Sequence, residues 1–153
     1  MRKTSSPAEL EAHLGYWLRM VSNAVSQGFA RKVEAEGVTV AEWVVLRVLF
    51  DEDRIAPTVL AARIGMTKGA ISKLADRLIE KGLVARDVNA EDKRAQILVL
   101  KPAGRKRVPR LAELADRNDV ESFGALSPAE RRELERLLRK IASDRALKDI
   151  PTD

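Results

Sequence analysis

The chain has 153 residues and no cysteine, and its apolar fraction of 45% is sufficient for one domain with a buried core. The lack of cysteine excludes disulfides, thiolate metal ligands and thiol redox sensing, and it is typical of cytoplasmic proteins. No apolar run is long enough to span a bilayer, and the N-terminus lacks the apolar core of a signal peptide. We therefore expect a cytoplasmic protein with no membrane partner.

Two helices are predicted before residue 56. The first begins at a capping box in residues 6–9 (SPAE), carries an apolar stripe from Leu10 to Val25 and ends at Gly37. The second begins at the capping box that Thr39 and Glu42 form, and acidic residues 51–53 end it. Its residues are apolar nearly all round, so we place this helix in the core.

The next stretch predicts two helices joined by a short turn. Pro57 suits the first position of a short helix, and Gly65 suits the left-handed backbone that ends it. Thr67 is placed to cap a longer helix, which Gly82 ends. Two helices connected in this way form a helix-turn-helix.

A hairpin is predicted directly after these helices. Segments 83–88 and 96–101 are rich in Val, Ile and Leu, and they flank a charged turn. Residues 55–110 hold 13 Lys and Arg against 5 Asp and Glu, a net charge of +8, whereas the remainder carries −3. A basic winged helix-turn-helix indicates a protein that binds nucleic acid.

Two more helices follow the hairpin. The first begins at Pro102 and ends at residues 122–124, and Pro109 inside it is expected to kink or interrupt it. The last begins at a capping box in residues 127–130 and ends near Lys148.

The predicted fold class is mainly α with a small β-hairpin wing. Residues 37–101 form the DNA-binding lobe, and residues 1–36 and 102–153 form N- and C-terminal dimerisation helices of one continuous domain. The terminal helices carry more apolar surface than a small winged module covers, and a reader of palindromic DNA needs a two-fold partner. The alternative is that these helices pack only within the monomer.

The longer helix of the helix-turn-helix presents a polar face to DNA. Its apolar residues share one face, so the polar ones point outward, and the N-terminal half of such a helix meets base edges. The candidate DNA-binding residues on and before it are Thr67, Lys68, Gly69, Ser72, Lys73 and Arg77. Lys68, Ser72 and Lys73 are candidates for base contact, and Gly69 for close backbone approach. Arg77 and the capping Thr67 suit phosphate contacts, and the alternative for the whole set is a solvated helix face.

The run from Leu60 through ISKLADRLIEKGLVAR to EDKRAQILVLKPAG resembles the MarR family of transcription regulators. The likeness covers most of the chain, with recognition helix, EKGLV exit and a D-x-R wing in order. One position departs from the family pattern, because Lys101 stands where a capping Thr is usual. The resemblance implies a winged helix-turn-helix dimer that regulates transcription.

The wing tip supplies further candidate DNA contacts. Lys93 and Arg94 at a hairpin tip suit an adjacent minor groove, and Arg94 is the expected inserted residue. The resemblance implies that Asp92 orients Arg94 through a charge-assisted hydrogen bond. Arg86 on the first wing strand suits a phosphate contact. Ordinary turn chemistry is the alternative for Glu91 and Asp92.

The resemblance also implies a small aromatic or anionic effector, bound between the dimerisation helices and the DNA-binding lobe. His13, Trp17, Trp43 and Arg47 are the candidate lining residues, because an aromatic wall with one cation suits a carboxylate. The simpler alternative is that the aromatic residues belong to the core or the dimer contact. A lone histidine without cysteine does not make a typical transition-metal site, so no metal is expected.

The predicted function is a homodimeric regulator, a repressor that binds a palindromic operator in double-stranded DNA and is released by an effector. The alternative is a winged-helix interaction or architectural dimer that binds DNA weakly or non-specifically. We find no Ser/His/Asp set, phosphate-binding glycine loop or metal cluster in the sequence, so no enzyme and no cofactor are predicted.

Overall fold

The structure is a computed structural model that describes residues 6–88, 91–92 and 96–152. Within these residues the fold is mainly helical with one small antiparallel sheet, as predicted. The elements in chain order are α1 (Leu14–Glu34), α2 (Val40–Glu52), β1 (Arg54–Ile55), α3 (Pro57–Ile64), α4 (Lys68–Glu80), β2 (Val84–Val88), β3 (Gln96–Leu100), α5 (Pro102–Phe123) and α6 (Pro128–Asp144). No helix in the described ranges combines the length and apolarity that crossing a membrane requires.

The helix-turn-helix forms as its local signals predict. Gly65 ends α3 with a φ of +78°, a backbone conformation that costs glycine little. The Thr67 hydroxyl accepts a hydrogen bond of 3.1 Å from the backbone N–H of Ala70 and so caps α4. Gly82 follows α4 with a φ of +73°. These stops and the cap confirm the predicted positions of both helices.

The N-terminal helix begins later than predicted. The capping box at residues 6–9 does not open it. A short 3-10 helix, Leu10–Ala12, comes first, and α1 starts only at Leu14, after His13 in extended conformation with φ −101° and ψ 128°. The indole N–H of Trp17 donates to the carbonyl of Glu11 at 2.9 Å, which stabilises this folded-back turn. A side-chain bond across six residues, which Trp17 and Glu11 form, cannot be read from a capping pattern.

The sheet has one strand that was not predicted. Its order is β1-β3-β2, and β1 pairs with β3 through Arg54 opposite Val99 and Ile55 opposite Leu98. Arg54 reaches across β3 to the Asp87 carboxylate of β2, at 2.9 Å. Two residues are too few to show a strand periodicity, so only the hairpin was visible in the sequence.

Helix α5 is continuous, so Pro109 does not interrupt it, and of the two expected effects the kink stays a prediction. Pro109 lies on the exposed side of α5, where water can bond the backbone carbonyl of Arg105 that the proline leaves without a partner. The N-cap residue Lys101 provides no side-chain cap, as predicted. The α6 capping box is confirmed by bonds in both directions between Ser127 and Glu130.

The hydrophobic core lies between α2, the helix-turn-helix, the sheet and α5. Leu46 and Leu49 of α2 are fully buried, which confirms the core position predicted for this helix. By contrast, Val33 near its C-terminal end is the one buried residue of α1, and α6 has none. The terminal helices therefore leave most of their apolar side chains exposed in the monomer.

Candidate nucleic-acid interface

Helix α4 divides into a buried face and an exposed face. Ile71, Leu74 and Leu78 lie in the core, and Ile71 and Leu78 have no exposed surface. The predicted DNA-binding residues of this region all lie on the exposed side: Thr67, Lys68, Gly69, Ser72, Lys73 and Arg77. The structure therefore presents these predicted residues together on one surface.

The cations on this surface are not used to hold the fold. Lys68, Lys73 and Arg77 form no ion pair with any residue that the structure describes. The other three cations between residues 55 and 88 each pair with a carboxylate: Arg63 with Glu52, Lys81 with Glu42 and Arg86 with Asp76. Within residues 55–88, the cations without an ion-pair partner among the described residues thus all lie on the exposed face of α4, where an anionic ligand can neutralise them.

A groove of about 450 Å³ runs beside the first turn of α4. It joins α4 to the start of α3 and to the wing strand β3. Its lining residues are Ala56, Pro57, Thr58, Lys68, Gly69, Ser72 and Gln96. Thr58 and Gln96 were not among the predicted contacts, because only the packing of α3 and β3 against α4 brings them to this groove. The sequence did offer one signal for a contact at Thr58, because this residue lies in the first turn of α3 and helix N-termini bind phosphate.

Gly69 has no structural role in the protein itself. A Cβ added at this position meets no described atom within 4 Å, and the residue lies inside a helix, where glycine costs stability. The fold therefore provides no reason for glycine here. Close approach of DNA to the α4 backbone remains the predicted reason.

The base of the wing is anchored to the rest of the lobe. Arg86, predicted to contact phosphate, forms a 2.6 Å ion pair with Asp76 of α4. Asp87 lies on the same strand. Its carboxyl accepts a hydrogen bond from the Val88 backbone N–H and lies beside the Arg54 guanidinium of β1, and both contacts lower its pKa. The Arg86–Asp76 pair ties the hairpin to α4, and the Arg54–Asp87 pair ties β2 to β1.

The wing tip is only partly described. Asp92 is described and exposed, whereas Lys93 and Arg94 lie outside the described residues. The predicted minor-groove contact of Arg94 and its orientation by Asp92 therefore stay predictions from the sequence.

A second cavity, of about 260 Å³, lies between α1, α2 and α5. Phe29 and Trp43 meet there edge to face, with ring centroids 6.4 Å apart. The amide of Asn118 lines the cavity, donates to the backbone carbonyl of Val25 and accepts from Lys32. The cavity thus combines an aromatic wall with the hydrogen-bonded amide of Asn118.

Trp43 is the only one of the four predicted effector residues that lines this cavity. Trp17 is twelve residues before Phe29 on α1, about 18 Å along the helix. His13 is the exposed N-cap of α1. Arg47 forms a 2.7 Å ion pair with Asp51. The monomer therefore does not bring the predicted cation and the second tryptophan to the aromatic wall.

The fold and the α4 surface define the chain as a winged helix-turn-helix protein. A family model described as the MarR family matches residues 36–95. A putative transcriptional regulatory protein for the hcr operon of Thauera aromatica is 31% identical over 133 residues, which cover 86% of this chain and 80% of that protein. The chain belongs to the MarR family of transcriptional regulators.

Two solved structures share the fold over almost their whole length. BpsR of Bordetella bronchiseptica, whose DNA binding is regulated by 6-hydroxynicotinic acid, matches with a TM-score of 0.76 and 26% identity over 90% of this chain and 98% of that chain. A mutant MarR of E. coli in complex with operator DNA matches with a TM-score of 0.76 and 27% identity over 89% of this chain and 99% of that chain. None of these relatives is described as an enzyme.

Proposed function

We propose that this chain is a homodimeric repressor that reads a palindromic operator in double-stranded DNA and releases it when a small effector binds. The single observation that carries the DNA-binding part is the exposed face of α4. Lys68, Lys73 and Arg77 project from it without an ion-pair partner among the described residues, beside the exposed Gly69 and Ser72. A recognition helix of this kind places its N-terminal half in the major groove.

The terminal helices support the homodimer in this proposal. They leave large apolar side chains at least 40% exposed, a pattern that a partner copy would cover. On α1 and just before it these residues are Leu10, Leu14, Trp17, Leu18, Met20 and Val21, and on α6 they are Leu137, Leu138 and Ile141. We therefore assign residues 1–36 and 102–153 to dimerisation and residues 37–101 to DNA binding.

Selection of bound sites from a random duplex pool tests the proposed function. At about 150 mM salt, where non-specific binding is weakened, we expect an inverted repeat with half-site centres about one helical turn apart. Binding without a recovered motif would favour an architectural dimer, and no binding would favour an interaction dimer. Either of these two results would contradict the proposal.

Replacing Arg94 with alanine is expected to weaken operator binding by more than about tenfold, because an arginine in a narrow minor groove meets concentrated negative potential. Fluorescence anisotropy with labelled operator measures the affinity, and circular dichroism checks that the helices are retained. An unchanged affinity would refute a contact between the wing tip and DNA.

The cavity beside Trp43 is the proposed effector site. Its walls are mainly apolar, and a planar ring fits against Phe29 and Trp43. The ammonium of Lys32 bonds the Asn118 amide at 3.2 Å and also pairs with the Glu121 carboxylate at 2.7 Å, so its charge is already neutralised. Asp119 also lines the cavity, and Arg131 pairs with that carboxylate. This arrangement supports a small aromatic effector with a hydrogen-bonding polar group.

Replacing Ala115 with phenylalanine is expected to fill the cavity and abolish release by effectors. Ala115 lines the cavity and does not belong to the α4 surface, so operator affinity without effector should stay within about threefold of wild type. Operator release is measured with a panel of aromatic carboxylates that includes 6-hydroxynicotinic acid. Ala103→Phe, at an exposed site outside the cavity, is the matched control. Normal release of the Ala115→Phe variant would place the effector elsewhere.

A further inference from the structure

An ion pair with one buried partner connects the recognition helix to the start of α2. The side chain of Glu42 is only 1% exposed, that of Lys81 is 38% exposed, and the Glu42 Oε2 lies 2.6 Å from the Lys81 Nζ. Lys81 is the C-cap residue of α4. Glu42 is the third residue of α2, where a capping box would turn its carboxylate back to the N-cap backbone. Here the Thr39 hydroxyl still accepts from the Glu42 N–H at 3.2 Å, but the carboxylate bonds to Lys81.

The same ammonium group also contacts the end of α1. Its Nζ donates to the backbone carbonyl of Gly37 at 2.8 Å, and Gly37 follows α1 with a φ of +77°. One side chain at the end of α4 therefore bonds both the segment that ends α1 and the segment that begins α2. Because α1 carries exposed apolar residues of the proposed dimer surface, this group links that surface to the recognition helix.

An ion pair of this kind fixes the orientation of the helices more than it raises the free energy of unfolding. Removing the Glu42 carboxylate from water costs several kcal/mol, and the attraction of the partly exposed Lys81 ammonium only roughly repays this, so the pair adds little net stability. It does restrict geometry, because any rotation of α4 away from Glu42 would leave a buried carboxylate without its cation. The exposed pair between Arg63 and Glu52, with side chains 41% and 43% exposed, carries no such penalty.

We propose that Glu42 and Lys81 are positioning residues that set the angle of α4 relative to α1, and thereby the distance between the two recognition helices of the dimer. The proposal rests on the proposed function, because it assumes a dimer that reads two half-sites. One base pair added between half-sites shifts them by about 3.4 Å along the DNA and rotates them by about a tenth of a turn. A dimer whose recognition helices are held at a fixed distance binds an operator with altered spacing more weakly than the selected one. A dimer whose recognition helices are loosely held shows a smaller difference in affinity.

The experiment measures affinity for operators whose half-sites are at the selected spacing or one base pair closer or farther apart. The main variant is Glu42→Gln with Lys81→Met, which removes both charges together and leaves no buried ion without a partner. Lys81→Arg keeps a cation that can bond both acceptors. Glu52→Gln with Arg63→Gln is the matched control, since it removes an exposed pair in the same lobe.

We expect the double variant to lose about tenfold in affinity at the selected spacing and to bind the shifted operators nearly as well as the selected one. Lys81→Arg and the exposed-pair control should keep wild-type discrimination. The salt slope should not change, since Lys81 is assigned no phosphate contact.

Wild-type discrimination in the double variant would overturn the inference, even with a lowered melting temperature, because the pair would then serve stability alone. A shallower salt slope would also overturn it, by assigning Lys81 to a phosphate. Failure of the proposed function is recognised separately, because the wild-type protein would then select no operator at all.

Discussion

Replacing both Lys68 and Lys73 with alanine is expected to weaken operator binding by at least about 100-fold, the largest effect that two substitutions in this lobe should have. A dimer loses four cations from two recognition helices, and a good contact to a base edge contributes about 1–3 kcal/mol. Both side chains are exposed and form no ion pair with described residues, so the fold should not change. Titration of labelled operator measures the binding affinity, and a melting curve for each protein checks that the fold is retained.

The matched control replaces Arg132 and Lys140 of α6 with alanine. These cations are also exposed and also form no ion pair within the described part of the chain, so the net charge changes equally. We expect this control to bind operator within about twofold of wild type, because charges outside the interface act only through screened, long-range attraction. Equal losses in the two variants would show that binding depends on net charge alone and would contradict base reading by α4.

Replacing Leu138 and Ile141 with aspartate is expected to produce a monomer that binds operator about 1,000-fold more weakly, because the two half-sites are then no longer bound together. These side chains are 41% and 53% exposed in the monomer, so the substitutions remove little of its own core. Four buried carboxylates in a dimer interface would each require desolvation without a cation. Analytical ultracentrifugation at micromolar concentration measures the oligomeric state.

Val59→Asp is the control for this prediction, since Val59 is 48% exposed but belongs to α3. We expect this variant to remain dimeric. A dimer that survives the two substitutions in α6 would contradict the assignment of that helix to the interface. A helical signal lost together with the dimer would show instead that the helices of one chain require the partner copy to fold.

The helix-turn-helix could be predicted in detail because its signals are local. Pro57, Gly65, Thr67 and Gly82 each act through their own backbone torsions or through a bond to a residue within one turn. Such signals do not depend on the rest of the chain. The face of α4 that points outward was equally predictable, because a period of 3.6 residues separates apolar from polar positions.

Features that depend on partners more than one helical turn away could not be predicted in this way. The turn before α1 is held by a bond between Trp17 and Glu11, and β1 exists only because β3 lies beside it. The expected grouping of His13, Trp17, Trp43 and Arg47 is not formed within the monomer, since composition suggested a cleft without giving distances.

The sequence by itself determined the class of fold, the recognition helix and the excess of positive charge in residues 55–110, because periodicity, capping and charge are properties of short segments. Only the tertiary structure decided which cations remain without partners. It paired Arg86 with Asp76 and Lys81 with Glu42, and it left Lys73 facing outward without a described ion pair. Ion pairing depends on distances of a few ångströms between residues far apart in the chain, and only packing of the whole domain sets those distances.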